Sequence, residues 1–371
     1  MITERIKPIV MPKWGLSMSE GKVTGWLKPA GAKVAVGDEI LEVETDKIAG
    51  VVEAGDAGTL RRVVGEPDAV YPVKALLGVL ADEDVPEAEI DAFVAGYVVP
   101  AGDEDEAAEA APQYAFIDTP EGQLRYARRG EGSEAVILVH GFGGDLDNWL
   151  FNIDALAARA SVHALDLPGH GQSDKAVKEP TLAGLSRALL GFMEALGIDA
   201  AHLVGHSMGG AVALRTALDA PQRVKSLSLI ASAGLGPEID GDYIAGFVSA
   251  QGRRELKPVL EKLFQDPGLV SRQLVDDVLK YKRLDGVDTA LAALAAGLFP
   301  GGRQAERPGA GAAGLPPVLV VWGAADRIIP AAHARALGTG AKVEIVEGAG
   351  HMVQMEKASR VNELLLAHIP G

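Results

Sequence analysis

The feature that most constrains the fold of this chain is an acidic segment in its first third. Between Asp82 and Gln113 the sequence has eleven acidic residues, three prolines and many alanines, but no lysine or arginine. Such a segment repels itself and is typical of a linker between folded pieces. A chain of 371 residues is also long enough for two or three domains. We therefore predict a multidomain protein, with one domain over residues 1–82, a linker over 83–112 and another domain over 113–371.

One stretch inside the predicted linker is apolar. Its members recur at near-helical spacing and are Ile90, Phe93, Val94, Tyr97 and Val98. Two interpretations are open, a short helix that packs on a neighbouring domain or a docking site for a partner protein. We favour the packed helix.

Composition narrows the function classes. The formal net charge of −16 repels phosphate backbones and anionic lipid, so we expect neither nucleic acid nor a membrane as a partner. The chain has no cysteine, which excludes disulfides, thiolate metal sites and a cysteine nucleophile. We predict no metal site, and any thiol chemistry must come from a cofactor or substrate. The chain start has no secretory apolar core and no apolar run approaches the ~20 residues of a membrane span, so we expect a cytoplasmic protein.

The first 81 residues form a string of short β-branched segments that glycine and proline interrupt. This pattern predicts a small all-β antiparallel sandwich or flattened barrel. Within it, the segment Ile40–Ile48 places Asp46 and Lys47 in a tight turn between two strands. A lysine at the tip of a hairpin is sterically open to covalent attachment. The local pattern alone favours a solubilising turn lysine.

Two longer motifs change that interpretation. Met11–Gly21, MPKWGLSMSEG, and Gly37–Lys47, GDEILEVETDK, resemble the lipoyl domains of 2-oxo acid dehydrogenase-type acyltransferases. The resemblance covers residues 5 to 80 and implies that Lys47 carries covalent lipoate. Biotin-carrying relatives usually have methionine on both sides of the lysine, whereas this chain has Asp46 and Ile48. Lipoate brings its own pair of thiols, so the absence of cysteine is no obstacle to thiol chemistry.

The region after the linker alternates apolar strand-like runs with longer helical stretches. Such alternation predicts a mostly parallel sheet covered on both faces. The runs are Ala135–Val139, Val162–Leu165, His202–Val204, Ser226–Ile230, Val318–Trp322 and Lys342–Val346.

A serine motif lies between one of these strands and a helix. Gly205, Ser207 and Gly209 form G-x-S-x-G, the pattern of a sharp strand-to-helix turn that exposes the serine hydroxyl. Asp326 and His351 each follow a later strand, at the sheet edge where open α/β sheets place their sites. In this arrangement Ser207 is the nucleophile, His351 takes its proton and Asp326 orients the imidazole. The alternative, a glycine-rich structural turn, does not account for the acid and the histidine.

A glycine-rich loop, His140–Gly144, follows the first strand of the second domain. The backbone amides of Phe142 and Met208 would form an oxyanion hole there. Each such donor stabilises a transition state by about 3 to 4 kcal/mol. A simple strand-ending turn is the alternative, and the nearby segment Asp166–Asp174, DLPGHGQSD, argues against it.

With these segments in place, residues 113–371 resemble the α/β-hydrolase family. The helical stretch over about 236–312 matches the position of that family's cap domain, which would control access of acyl groups and water to the serine. This resemblance predicts the fold of the region more securely than it predicts the substrate.

The order of the two domains resembles the dihydrolipoamide acetyltransferase components of bacterial acetoin dehydrogenase complexes. That resemblance implies transfer of an acetyl group from S-acetyl-dihydrolipoyl-lysine to coenzyme A. It also implies two partner enzymes, a thiamine-diphosphate-dependent acetoin dehydrogenase component and a dihydrolipoamide dehydrogenase. Two alternatives are open. The second domain is a thioesterase or esterase that uses water, or it is a non-catalytic scaffold beside a lipoyl carrier.

Overall fold

The computed structural model describes residues 5–12, 18–45, 49–99 and 113–370. The chain divides into two compact units, a first unit over Met1–Ala111 and a second unit over Pro112–Gly371.

The described part of the first unit contains eight strands in two four-stranded antiparallel sheets. The strands are β1 (Ile6–Val10), β2 (Glu20–Trp26), β3 (Lys33–Val34), β4 (Glu39–Glu44), β5 (Ala49–Glu53), β6 (Gly58–Val63), β7 (Val70–Pro72) and β8 (Leu76–Ala81). One sheet has the order β1-β8-β6-β3 and the other the order β5-β4-β2-β7. The predicted all-β sandwich is confirmed.

The core of this sandwich lies between the inner faces of the two sheets. Met11, Val23, Leu41, Leu60 and Leu77 are all fully buried there. Burying one such side chain stabilises the fold by about 2 kcal/mol. The strands are short and interrupted, so these few large apolar side chains are what holds the two sheets together.

The predicted helix in the acidic segment is present as α1 (Glu87–Gly96) and packs on the first unit. Ile90 is fully buried beside Ile6 and Val79. On its polar side, Glu87 lies 2.5 Å from Arg61 and 2.9 Å from Arg62.

Residues 83 to 97 therefore pack on the first unit, although their composition assigns them to the linker. Two features oppose the self-repulsion of the acids. One is the apolar face of α1, and the other is a pair of arginines on β6 that the composition of the acidic segment cannot reveal.

The second unit is built on one eight-stranded sheet with the order β16-β15-β14-β13-β11-β12-β10-β9. The strands are β9 (Gln113–Thr119), β10 (Gly122–Arg129), β11 (Ala135–Val139), β12 (Ser161–Leu165), β13 (Ala201–His206), β14 (Val224–Ile230), β15 (Val318–Gly323) and β16 (Ala341–Val346). Strands β11 to β16 are parallel, and each contains one of the six predicted apolar runs. The predicted mostly parallel sheet is confirmed.

The hairpin β9–β10 was not predicted. It adds β10 antiparallel to β12, and β9 antiparallel to β10, at one edge of the sheet. Its members alternate apolar residues with charged ones such as Arg125, so neither strand appears in the sequence as an apolar run.

Helices cover the sheet. They are α2 (Ile153–Ala157), α3 (Leu182–Ala195), α4 (Met208–Asp219), α5 (Gly241–Ser249), α6 (Arg253–Leu260), α7 (Arg272–Lys282), α8 (Val287–Leu298), α9 (Val353–Glu356) and α10 (Ala358–His368). Helices α5 to α8 lie between β14 and β15 in the chain, the position of the predicted cap. None of the helices in the described ranges is long and apolar enough to cross a membrane.

Candidate active site

The turn between β13 and α4 holds Ser207 in a strained backbone conformation. Its φ of 52° and ψ of −120° lie in a region that non-glycine residues rarely adopt. Such a conformation costs about 1–3 kcal/mol and persists only where the surroundings fix it. Here the amide of Ser207 donates to the carbonyl of Ile230 at 2.9 Å, and its carbonyl accepts from the amide of Ala233 at 3.0 Å. The sheet and the following loop therefore set the position of the serine.

The two glycines of the serine motif are needed because backbone segments approach closely. A Cβ atom at Gly205 would lie 2.4 Å from the carbonyl oxygen of Gly209, and one at Gly209 would lie 2.2 Å from that of Val139. Neither position has room for a side chain. The packing of the turn therefore requires both glycines of the motif.

Asp326 and His351 form a buried pair at the ends of β15 and β16. Nδ1 of His351 lies 2.8 Å from Oδ2 of Asp326, and the aspartate side chain has no exposed surface. The other carboxylate oxygen of Asp326 accepts from the amides of Ile328 at 2.8 Å and Ile329 at 3.0 Å. The carboxylate is therefore fixed at both oxygens. With Nδ1 directed to the carboxylate, Nε2 of His351 is the nitrogen left to exchange a proton with a substrate or a hydroxyl.

His206 links this pair to the serine turn. Its ring lies 4.8 Å from the ring of His351, centroid to centroid, and its Nε2 donates to the main-chain carbonyl of His351 at 3.0 Å. Burial, and next the neighbouring His351, lower the pKa of His206 well below its ordinary value. His206 is thus a neutral donor that fixes the loop of His351 beside the residue preceding Ser207. The His351–Asp326 pair therefore lies against the residue that directly precedes Ser207 in the chain.

The loop His140–Gly144 runs directly against the serine turn. A Cβ atom at Gly141 would lie 3.1 Å from Cβ of Ser207. The amides of Phe142 and Met208 donate to no acceptor within the described part of the chain. Met208 is the first residue of α4, where helical amides lack an internal partner. Two backbone donors therefore remain available next to Ser207 for an oxygen that gains negative charge.

Comparison with known proteins identifies both units. A family model described as α/β hydrolase fold matches residues 134–358, and one described as biotin-requiring enzyme, the biotin and lipoyl family, matches residues 7–79. The chain is 58% identical over 371 residues to the dihydrolipoyllysine-residue acetyltransferase component of the acetoin cleaving system of Cupriavidus necator, covering all of this chain and 99% of that protein. It is 52% identical over 370 residues to the same component from Pseudomonas putida, covering 98% of this chain and 99% of that protein. The chain belongs to this acetyltransferase family.

Among solved structures, the second unit of this acetyltransferase is similar to a meta-cleavage product hydrolase from Pseudomonas fluorescens IP01. The TM-score is 0.62 at 26% identity, over 68% of this chain and 96% of that one. The acetyltransferase thus has its serine turn, acid and histidine on a fold that it shares with hydrolases.

Lys47, the predicted attachment site, lies outside the described residues. The strands on either side of it are described and pair antiparallel, with Glu44 of β4 opposite Ala49 of β5. The segment that contains Lys47 therefore joins two adjacent paired strands, as the sequence predicts for a hairpin.

Sequence reasoning did not assign a role to His140, which forms hydrogen bonds that fix the loop predicted to carry an oxyanion donor. Its Nε2 accepts from the amide of Leu167 at 3.0 Å, and its Nδ1 donates to the carbonyl of Gly141 at 2.7 Å. Burial lowers the pKa of His140, so the ring is neutral and can accept at one nitrogen while it donates at the other. Its place at the end of β11, directly before Gly141, is the signal that could have identified it.

Phe247 of α5 is a second residue that the sequence did not single out. Its ring lies 6.0 Å from that of Phe142, centroid to centroid. A Cβ atom at Gly143, whose φ is +74°, would lie 2.4 Å from the Phe247 ring. The predicted cap therefore contacts the loop that carries one of the predicted oxyanion donors, and a glycine makes that contact possible.

Proposed function

We propose that this acetyltransferase moves an acetyl group from a dihydrolipoyl thioester on Lys47 to coenzyme A, through an acetyl ester on Ser207. The observation that carries this proposal is the buried His351–Asp326 pair held beside the serine turn by His206. An imidazole oriented by a fixed carboxylate next to a serine is the arrangement that makes a hydroxyl nucleophilic.

In the first half of the reaction, Oγ of Ser207 attacks the carbonyl carbon of the acetyl thioester, and its proton passes to Nε2 of His351. The amides of Phe142 and Met208 donate to the oxygen that becomes negative. The carbon–sulfur bond then breaks, and the imidazolium returns the proton to the leaving thiolate. Ser207 is left as its acetyl ester, and no group is oxidised or reduced.

In the second half, His351 takes the proton of the coenzyme A thiol. The thiolate attacks the carbonyl carbon of the acetyl ester, and the same two amides stabilise the second tetrahedral intermediate. The bond from that carbon to Oγ breaks, and His351 returns the proton to Ser207. The products are acetyl-coenzyme A and the original hydroxyl.

Lipoate joined to Lys47 by an amide bond would supply the two thiols that this cysteine-free chain lacks. The pairing of β4 with β5 supports a hairpin site for it. Relatives that are 58% and 52% identical are named for a dihydrolipoyllysine residue and for an acetoin cleaving system. We therefore keep as proposed partners the thiamine-diphosphate-dependent component and dihydrolipoamide dehydrogenase, in the cytoplasm.

Attachment at Lys47 is tested by intact mass of the full chain from a lipoylating host. We expect the lipoyl mass on the parent and not on Lys47→Arg, which keeps the charge of the side chain. Lys33→Arg, on a short strand of the same unit, is the control and should keep the modification. Lipoyl mass on Lys47→Arg would contradict the assignment.

Thioester hydrolysis is the second candidate function. The similarity of the second unit to a hydrolase structure favours it, since water could resolve the acetyl ester in place of coenzyme A. The deciding experiment gives the purified full chain acetyl-dihydrolipoamide with and without coenzyme A. Acetyl-coenzyme A as the product supports transfer, and acetate formed at the same rate in both conditions supports hydrolysis.

A further inference from the structure

A basic groove lies on the second unit, between two of the helices that follow β14 in the chain. It has a volume of about 590 Å³ and lies between the first turn of α6 and the second half of α7. Four basic side chains line it, those of Arg253, Arg254, Lys280 and Arg283, together with the carboxylates of Glu255 and Asp276. Its size is within the roughly 300–1,000 Å³ typical of small-molecule sites.

The basic character of the groove contrasts with the rest of the chain. The whole chain carries a formal charge of −16, whereas residues 251–283 contain eight lysines and arginines and five acidic residues. Negative charge elsewhere repels an anion at long range. The local excess of basic residues therefore makes this groove a place where the second unit can bind an anion.

Two of the four basic groups already have acidic partners. Arg253 donates to Asp276 at 2.7 Å, and Lys280 lies 3.0 Å from Asp277. Arg254 and Arg283 are exposed. Neither of these two pairs with a carboxylate within the described ranges. A guanidinium group offers a planar fork of donors that matches the oxygens of a phosphate.

The helix that forms one wall of the groove also contacts the candidate active site. Lys282 of α7 is buried, and its Nζ donates to the carbonyl of Val248 at 3.0 Å and lies 5.2 Å from the ring centre of Phe247. Phe247 in turn packs against Phe142 of the oxyanion loop. Two side chains thus connect α7 to the loop beside Ser207.

We propose that this groove binds the phosphorylated nucleotide end of coenzyme A, with Arg254 and Arg283 contacting its phosphates. The inference rests on the proposed function and names the site of its second substrate. Coenzyme A joins a nucleotide bearing several phosphates to a long thiol arm. A nucleotide held in the groove would leave the thiol arm free, and α7 contacts the loop beside Ser207 through Lys282 and Phe247. Binding of this kind also favours coenzyme A over water as the acceptor, because it raises the local concentration of the thiol.

The test compares two thiol acceptors, coenzyme A and pantetheine, which lacks the nucleotide. The variant is Arg254→Ala/Arg283→Ala in the full chain, with acetyl-dihydrolipoamide as the donor. Loss of two exposed ion pairs with phosphate should raise KM on the order of tenfold. We therefore expect KM for coenzyme A to rise by about that factor, with kcat unchanged and KM for pantetheine unchanged.

The control is Arg159→Ala/Arg335→Ala, which removes the same charge from two exposed arginines elsewhere on the second unit. It should leave KM for both acceptors at the parent value. An unchanged KM for coenzyme A in the groove variant would overturn the proposal, as would an equal rise for both acceptors. A rise confined to KM for acetyl-dihydrolipoamide would also overturn it, because the groove would then act on the acyl donor and not on the acceptor.

A binding measurement separates failure of this proposal from failure of the proposed function. Isothermal titration of Ser207→Ala with adenosine 3′-phosphate 5′-diphosphate needs no turnover. We expect Ser207→Ala to bind this nucleotide. Adding the two groove substitutions should weaken the binding about tenfold, whereas adding the two control substitutions should not change it. If the parent transfers acetyl to neither thiol, the proposed function fails, and this titration alone decides the groove. Absence of nucleotide binding to Ser207→Ala would contradict the proposed binding site in the groove.

Discussion

The two units arrange their candidate functional groups in opposite ways. In the first unit the site is one lysine in a short segment between two paired strands, β4 and β5. In the second unit Phe142, Ser207, Asp326 and His351 come from loops after four different strands, and Ser207 and His351 are 6% and 2% exposed. A carrier must be reachable by other proteins, whereas a nucleophile needs fixed neighbours and little water. The candidate site of the first unit depends on one hairpin, whereas that of the second unit depends on the whole sheet.

The strongest test of this contrast is Ser207→Ala. We expect acetyl transfer to coenzyme A to fall on the order of 10⁶-fold, because the nucleophile is removed, while lipoylation of Lys47 stays at the parent level. Transfer is measured as acetyl-coenzyme A formed from acetyl-dihydrolipoamide, and lipoylation by intact mass.

The matched control for that variant is Ser228→Ala on β14. The Ser228 hydroxyl is buried and has no hydrogen-bond partner among the described residues, so its loss should leave the rate unchanged. Transfer by Ser207→Ala at the parent rate would show that the second unit is a scaffold or uses another nucleophile.

Asp326→Asn gives the next largest effect. The asparagine keeps an oxygen for the amides of Ile328 and Ile329 but cannot hold His351 in the tautomer that accepts a proton at Nε2. We expect kcat to fall roughly 10⁴-fold with no change in fold. The rate is measured as above, and circular dichroism reports the fold. A loss of less than tenfold would remove Asp326 from the proposed mechanism.

Acid stability should also separate the two units, because all eight histidines lie in the second. His163 on β12 is buried against Phe192, and burial lowers its pKa to about 4. Its unfolded value is about 6.5. The folded state therefore binds fewer protons between these values, and the stability from the neutral ring is present above pH ~6.5 and lost as the pH falls to about 4. The loss attributable to His163 is about 3 kcal/mol.

Hydrogen exchange with mass spectrometry measures this effect in each unit of the intact chain. From pH 7.5 to 4.5 we expect the free energy of opening to fall in the second unit, and His163→Gln to remove about 2 to 3 kcal/mol of that fall. Peptides from the first unit, which has no histidine, are the internal control. An unchanged pH dependence in His163→Gln would contradict the assignment.

The smallest expected effect concerns α1 on the first unit. The guanidinium of Arg61 donates to the main-chain carbonyls of Asp82 at 2.7 Å and Val85 at 3.1 Å. Arg61→Ala should lower the free energy of local opening of α1 by about 1–2 kcal/mol, read by hydrogen exchange over residues 87–96. Lys33→Ala removes only an exposed ion pair to Glu83 and should change it by less than about 0.5 kcal/mol. Equal effects of the two variants would mean that Arg61 does not hold the helix.

The sequence predicts most of the second unit because its strands are buried on both faces and appear as apolar runs. The same logic places Ser207, Asp326 and His351 at the ends of such strands. The hairpin β9–β10 is missed because its partly exposed strands alternate apolar with charged residues.

Contacts between distant segments explain what else the sequence does not reveal. Packing of α1 depends on Arg61, more than twenty residues upstream of it. The role of His140 depends on a hydrogen bond from Leu167, and the basic groove appears only when α6 and α7 lie side by side.

The positive φ of Ser207 sets a limit on how stable this enzyme can be. Glycine adopts that backbone conformation without the penalty that a β-carbon brings, so a chain optimised for resistance to heat alone would carry glycine there. The backbone strain therefore lowers the stability of the fold at the residue proposed as the nucleophile. Engineering for higher melting temperature should therefore seek its gains in the sheet and helices and leave the turn untouched.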